Sequence, residues 1–449
     1  MSSGKAAFGR AIVAGGGVGG LAAAAALSPR FQEVVVVEKD RVPPVPAIRK
    51  GVAQGAHVHV LLNGGERALE ALLPSIREDF LAAGAVIARS GIDNRFFDFG
   101  AWRPRRDFGS TMLCLTRPSF EHAIRKRVAA IPNVTIVEGA RVEHVAFVHG
   151  RASGLVVRLD SGLAQSHAAN FVVDARGRGG ALVRELTKVG FSPPPVDIIG
   201  IDMSYATGRF KKPAPLRGSA ESLLCVPSPP DNHYALLSPI ENEEWIVSLC
   251  GRGDLAPPID LNGFLDFAGR LAAPEIRERL DGATLAAPIR TYRKPTASWR
   301  RYERLERFPL SFAPLGDTIS SFNPVYGQGM TVAARHALAL GAALDEHSPN
   351  DPAFAARYFE KALEATADAW FLASTVDLAY PDVTGERPAD FKMQQAFRFG
   401  LRWLADEDES IHRLMNDILQ MTQPPSALRN IAIVARAMAK ARERGWGGA

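Results

Sequence analysis

Three groups of residues have the types and spacings that chemistry needs. The first is Gly15-Gly16-Gly17-Val18-Gly19-Gly20, which satisfies GxGxxG through Gly15, Gly17 and Gly20. That spacing allows a tight turn, close approach of backbone to a pyrophosphate, and a helix whose free N–H groups face the phosphates. Glu38 lies 18 residues past Gly20, where a carboxylate can bond ribose hydroxyls. The second group is Gly316-Asp317, followed by Pro324, Gly327, Gln328, Gly329 and Met330. A carboxylate there can accept hydrogen bonds from a polyol, and Gly327 and Gly329 let backbone amides approach a flat ring. The positive end of a helix starting there would stabilise a reduced, anionic flavin. The first group follows a strand, opens a helix and precedes a second strand ending in Glu38, and by itself points to a dinucleotide. The second alone is explained by a turn with a helix cap. Paired with the first, three hundred residues upstream, it becomes specific.

The third group is less specific. His57 and His59 alternate in an apolar run, which predicts one shared face of a strand, either as a satisfied buried pair or in contact with flavin or substrate. Arg117 stands just before Pro118 at a helix start, suited to a pyrophosphate or simply to solvent. Cys114, Cys225 and Cys250 are far apart and form no CxxC, which fits a reducing cytoplasm. No HExxH, calcium loop or GxSxG elbow occurs, so no metal site is expected.

These residues need elements to hold them. Ala11 to Ala14 and Val34 to Val37 read as strands joined by an Ala-rich helix, Leu21 to Leu27. Continuous β-branched runs linked by a helix indicate a parallel sheet buried on both faces. Helices are predicted over 63–83, 120–130, 261–271 and 328–344, and strands over 134–137, 142–147, 155–159, 170–174 and 309–315. Asp174 to Gly180 is a second glycine-rich turn. Between 190 and 300 the pattern alternates, as in antiparallel strands, with Glu241 to Glu244 as a polar hairpin turn. Residues 351–449 are helical in pattern. The basic amphipathic stretch Leu428 to Arg444 suits docking on the protein's own core better than a membrane surface.

Composition narrows the class. With 47% hydrophobic and 22% charged residues the chain is an ordinary globular protein. A net charge of +5 over 449 residues is too small and too dispersed to imply nucleic-acid binding. The uncharged stretch Ala11 to Leu27 imitates a signal peptide, but its glycines suit a turn between strand and helix. No segment is expected to span a membrane, and a soluble, cytoplasmic protein is the expectation.

The motifs carry a resemblance. An N-terminal GxGxxG, a middle turn at Asp174-Ala-Arg-Gly-Arg178 and the late Gly316-Asp317 resemble FAD-dependent monooxygenases of the para-hydroxybenzoate hydroxylase fold. Gln54-Gly-Ala-His-Val-His59 and Phe322-Asn-Pro-Val-Tyr-Gly-Gln-Gly-Met330 are similar to the epoxidase-like branch, which includes polyether-antibiotic olefin epoxidases. The resemblance covers roughly residues 8–345. It implies an α/β fold: a Rossmann-like FAD-binding domain (8–85, 114–190 and 301–348), an inserted antiparallel-sheet substrate domain (86–113 and 191–300), and a C-terminal helical region (349–449). It implies FAD contacts from Gly15, Gly17, Val18, Gly20, Glu38, Lys39, Gln54, Arg117, Val142, Gly316, Asp317, Pro324, Gly327, Gln328, Gly329 and Met330, with His57 and His59 on the substrate or peroxide side. Electrons would come from NAD(P)H or a separate flavin reductase, and a C4a-hydroperoxide would pass one oxygen to a small organic substrate. Two departures stand out. Arg176-Gly177 and Gly180 replace the usual middle Asp-Gly…Ser, which weakens the case for direct NADPH use, and Ser320 replaces the His of the late motif. Same-fold rivals are a reductase and a halogenase, although the Trp-x-Trp-x-Ile-Pro signature and catalytic Lys of halogenases are not evident. A non-catalytic nucleotide-binding protein is the rival outside enzymes.

Overall fold

The computed structural model describes residues 8–179 and 182–446; Gly180 of the second glycine cluster lies outside them. Strand β1 (Phe8–Ala14), helix α1 (Val18–Leu27) and strand β2 (Phe31–Val37) form the opening unit. They sit in a five-stranded parallel sheet in the order 312–314, 171–174, β1, β2, 134–137. The apolar halves of β1 and β2 are buried throughout, as expected of strands covered on both faces. Nearly every residue of α1 is also buried, because its alanines let it lie close between the sheet and helix 329–346.

The second large sheet has seven strands, in the order 284–294, 203–211, 244–252, 234–240, 222–226, 94–98, 101–102. All its pairs are antiparallel except 222–226 with 94–98. Side chains alternate across it. Trp245, Val247 and Leu249 pack on one face with Phe264, Phe267 and Ile276, which leaves Ser248 and Cys250 for the other. That other face looks toward the parallel-sheet half and carries the site.

Helices Pro352–Asp377, Phe391–Glu407, Glu409–Leu419 and Ile431–Glu443 follow. The last docks on the second so closely that a Cβ on Gly400 would fall 1.9 Å from the Ala437 carbonyl oxygen. The C-terminal amphipathic helix therefore covers the protein's own core. Among the described residues, no helix is long and apolar enough to cross a membrane.

Two predicted elements differ. The helix expected over 63–83 is two, Asn63–Leu72 and Ile76–Ala82. Pro74 forces the break: Leu73 leaves helical geometry (φ −136, ψ 81), and Ser75 turns at φ 66. Residues 57–62 form no strand and join no sheet. The Val58 N–H instead donates to the Ser248 hydroxyl, 3.2 Å away.

Candidate active site

The glycine-rich loop joins β1 to α1. Gly15 is at φ +102, and a Cβ there would approach the Ala175 carbonyl oxygen to 2.7 Å. Gly17 is the N-cap of α1, with no side-chain cap, no acidic residue in the first turn, and nothing within 4 Å of an added Cβ. The first N–H groups of α1, beside Gly17, thus border open space, while the Val18 side chain is buried. Helix 329–346 begins the same way, at Gln328 and Gly329, again without a cap or an acidic first turn. The two starts lie side by side, since a Cβ on Gly19 would touch Leu315 and Ala333. Two uncapped positive helix ends beside one gap make an anion site.

Glu38 is buried at the end of β2. Its Oε2 accepts the Gly16 N–H (3.0 Å), its Oε1 accepts the Asp40 N–H (2.9 Å), and Arg49 stands 3.3 Å away. Each carboxylate oxygen has two lone pairs, so Oε2 retains room for one further donor, such as a ribose hydroxyl. Val142 lies in strand Ala140–Val148 of a separate three-stranded sheet, whose Ala140 N–H donates to the Glu38 carbonyl. Lys39 is exposed, its stem over Gly51. Gln54 sits in a short turn, with its carbonyl accepting the His57 N–H.

A buried arginine cluster flanks the loop. Glu121 pairs with Arg49, Arg117 and Arg125, and Arg125 also donates to the Gly16 carbonyl. Burial pushes the Glu121 carboxyl up, but the three guanidiniums win and hold it below its ordinary range. Arg117 Nε and Arg125 Nε and Nη1 remain buried without partners. Unused buried donors beside a glycine-rich loop are what an incoming anion would satisfy.

At the far end, Gly316 and Asp317 open a short turn after strand 312–314. Ser321 donates to Asp317 (3.4 Å), and the buried Lys294 ammonium donates to Ser321. Burial lowers Lys294 to about 8, against the opposing pull of Asp317 and with help from Arg178 and Arg300. The Thr318 and Ser320 hydroxyls and the Gln328 Oε1 are buried with no partner. A polyol and a heteroaromatic ring would supply those partners, so the residues fit FAD. Arg176, the departure in the middle motif, is held in ion pairs with Asp174 (2.6 Å) and Glu185 (3.0 Å).

His57 and His59 face different surroundings, which corrects the shared-face expectation: a segment outside any sheet has no fixed alternation. His57 Nδ1 meets the Thr207 hydroxyl at 2.7 Å, which meets Ser248 at 2.6 Å. Thr207 and Ser248 are cross-strand partners in the seven-stranded sheet. His57 Nε2 is buried and unpartnered, with the Tyr205 and Tyr292 rings alongside. His59 turns back onto the His57 carbonyl (3.0 Å), near Arg117 and Glu121. Burial lowers His57 to about 4 and His59 to about 3, so both are neutral at pH 7.

Sequence reasoning missed Tyr205, Asp377 and His336 as well as Lys294. Tyr205 donates to Asn323, and Asn323 and Tyr326 both donate to the buried Asp377. Asp377 thereby anchors the 323–328 loop. His336, wholly buried in helix 329–346, accepts the Gly316 N–H on Nδ1 (3.2 Å) and bonds Thr366 through Nε2 (2.8 Å). It holds the Gly316-Asp317 turn only while neutral, and burial lowers it to about 4. The unfolded chain takes up this proton near pH 6.5 and the folded protein only near 4. Stability from this group is therefore complete above pH 6.5 and lost as pH falls to about 4, by roughly 3 kcal/mol. His336→Gln keeps an acceptor without the titration, so urea midpoints should fall less steeply between pH 6.5 and 4; an unchanged slope would remove His336 as the cause.

A cavity of about 640 Å³ adjoins this region. Val58, Val60 and Leu62 form one wall, the 324–328 loop another, and strands 94–98 and 222–226 a third. The fourth comes from the C-terminal helices, including Phe371, Phe397, Val434 and Met438. The C-terminal helices thus contribute a wall of this cavity that the sequence pattern did not announce.

No family model matches the chain. It is 31% identical over 391 residues to Protein Rv3254 of Mycobacterium tuberculosis (strain ATCC 25618 / H37Rv), covering 84% of this chain and 81% of the relative. It is similar in structure to the flavin-dependent brominase Bmp2, with a TM-score of 0.69 at 12% identity, over 97% of this chain and 99% of Bmp2. It is also similar to PqsL of Pseudomonas aeruginosa, a probable FAD-dependent monooxygenase, with a TM-score of 0.59 at 19% identity, over 82% and 97% of the two chains. The fold is the Rossmann-like FAD-binding flavoenzyme fold.

Proposed function

The chain belongs to the family of Protein Rv3254, and from that premise we propose that it is an FAD-dependent monooxygenase that epoxidises or hydroxylates an apolar organic substrate. One observation carries the reading. Two uncapped helix starts and Asp317 border a gap edged with unpartnered polar atoms, and the same 324–328 loop walls an apolar cavity.

Bound there, reduced FAD supplies the electrons that divide O2 between substrate and water. Gly15 to Gly20, Arg117 and Arg125 hold the pyrophosphate, Glu38 the ribose and Asp317 the ribityl chain, with Lys39, Gln54 and Val142 lining the adenosine end. Pro324 to Met330 present backbone to the ring. His57 offers its bare Nε2 to a polar group of the substrate, while the enclosing walls exclude water. NAD(P)H or a separate flavin reductase provides the electrons. The three-part domain division given above is proposed with it.

Halogenation is the second reading, favoured by Lys294: a buried amine beside Ser321 and Asp317 can hold an electrophilic halogen. One experiment addresses both. Purified protein titrated with FAD should show the flavin band near ~450 nm, and reduced protein mixed with O2 and candidate alkenes or phenols, with and without bromide, should add oxygen rather than halogen. Asp317→Ala should weaken FAD roughly ten- to a hundredfold in a folded protein, and His57→Ala should release more hydrogen peroxide per product. Tight NAD binding without flavin affinity would sink the proposal, and brominated product alone would decide for the second reading.

A further inference from the structure

The cavity contains a charge that the described protein does not neutralise. Its walls are largely hydrocarbon, yet five arginines line it, Arg95, Arg103, Arg398, Arg402 and Arg429, against the carboxylates of Asp98 and Asp390. Four of the five are accounted for. Arg103 and Arg402 share Asp98 at 2.6 and 2.5 Å, and Arg402 also pairs with Asp406. Arg95 lies over the Trp102 ring and 3.6 Å from Glu221. Arg429 is exposed at the rim. Arg398 makes no hydrogen bond or ion pair among the described residues, and its Nε is enclosed without a partner. Its one contact of note is the Phe99 ring, 4.6 Å from the guanidinium carbon.

Phe99 itself is in an unusual place. It and Gly100 form the two-residue loop between strands 94–98 and 101–102, at φ +49 and +81. Such loops favour Asn-Gly, and a bulky aromatic at positive φ is an outlier. Strain of this kind persists where surroundings impose it, and it collects at ligand sites. Here it puts an aromatic face beneath the enclosed cavity arginine that makes no ion pair among the described residues.

An unpaired guanidinium in an apolar wall is unfavourable until an anion completes it. Its planar fork matches a carboxylate through two parallel hydrogen bonds. The other cavity arginine without an ion pair, Arg429, is exposed at the rim, so among the described residues the enclosed walls present a single unpaired cation. We propose that the substrate is an apolar carboxylic acid, its carboxylate held by Arg398 over Phe99 and its hydrocarbon body directed toward the 324–328 loop. This rests on reading the cavity as the substrate site of the proposed oxygenase.

The test measures binding alone, so flavin chemistry does not enter its readout. Dodecanoate and dodecan-1-ol, equal in chain length, are titrated calorimetrically at pH 8 into the full-length protein with and without added FAD. The acid should bind about ten- to a hundredfold more tightly. Arg398→Gln should abolish that preference and leave the alcohol unchanged, while Arg398→Lys, which keeps the charge without the fork, should retain part of it. Circular dichroism checks the fold of each variant. Phe99→Asn, which suits the turn, covers the case where Arg398→Gln does not fold, and it should lower the acid's advantage without loss of stability. Equal affinity for acid and alcohol in the wild type, no saturable binding of either, a preference that survives in a folded Arg398→Gln protein, or one that is undiminished in a folded Phe99→Asn protein would overturn the proposal. Failure of FAD to bind or to reduce O2 would instead count against the oxygenase reading, because the acid preference is scored without it.

Discussion

Replacing Asp377 with alanine is expected to destabilise the protein by about 3–5 kcal/mol, the usual cost of removing one partner from a buried ion pair. Asp377 is wholly inaccessible, and its Oδ1 accepts from Arg252, Asn323 and Tyr326, each at 2.9 Å. Arg252 is also buried, at the end of strand 244–252, with the Tyr234 and Tyr380 rings near its guanidinium and the Ile201 carbonyl accepting from it. Without the carboxylate its charge stays inside and loses its counter-ion. Asp377→Asn should be milder, because an amide oxygen still accepts while the charge is lost. The same node joins three parts of the chain: the seven-stranded sheet, the loop before helix 329–346, and the C-terminal end of helix 352–377. Loss of stability should therefore be accompanied by weaker FAD binding, as Asn323 and Tyr326 lose their anchor. Urea denaturation and FAD titration of the two variants check this. An unchanged urea midpoint in Asp377→Ala would show that Arg252 reaches water or another acceptor.

Asp377 also shows where sequence reasoning stops. Gly15 to Gly20 and Glu38 were legible because their chemistry is local: one turn, one helix start and the end of the next strand, with the intervening αβ unit fixing the distance. Gly316-Asp317 was legible through its pairing with that unit. Asp377 and His336 were not, since an Asp near a helix end and a His in an apolar helix look like many others until the fold brings Arg252 and Gly316 to them. The C-terminal cavity wall was missed for a related reason. A 3.6-residue pattern shows that a helix has an apolar face, not which surface it covers. The break in helix 63–83 is different: Pro74 was in plain view, and the apolar spacing across it outweighed a local signal that should have prevailed. The expected pairing of His57 and His59 failed because it assumed strand alternation in a segment whose hydrogen bond goes to a side chain, Ser248.

Gly20→Ala is expected to abolish FAD binding while leaving most of the fold in place. A Cβ on Gly20 would lie 1.8 Å from the Gly15 carbonyl oxygen and 3.4 Å from Val13. No rotamer relieves that contact, because both partners are backbone or first side-chain atoms. The loop must open or α1 must retreat. Retreat is blocked on the far side, where the start of α1 packs against Leu315 and Ala333 through Gly19. Gly15 is itself held by its N–H bond to the Val37 carbonyl (2.8 Å) and by its close approach to Ala175. The strain therefore falls on residues 15–18, the stretch whose N–H groups border the gap. Overpacking of this kind costs about 1–3 kcal/mol and occasionally more, small against the core of the whole chain but enough to misalign several donors at once. Gly17→Ala is the internal control, since an added Cβ there meets nothing within 4 Å of the protein. Its methyl group would occupy the gap itself and should weaken FAD without altering stability. The expected pattern is thus a lower urea midpoint and no measurable FAD binding for Gly20→Ala, with an unchanged midpoint and reduced affinity for Gly17→Ala. Full FAD affinity in a folded Gly20→Ala protein would mean that the dinucleotide does not rest on this loop, and the assignment of Arg117, Arg125 and Glu38 would fall with it.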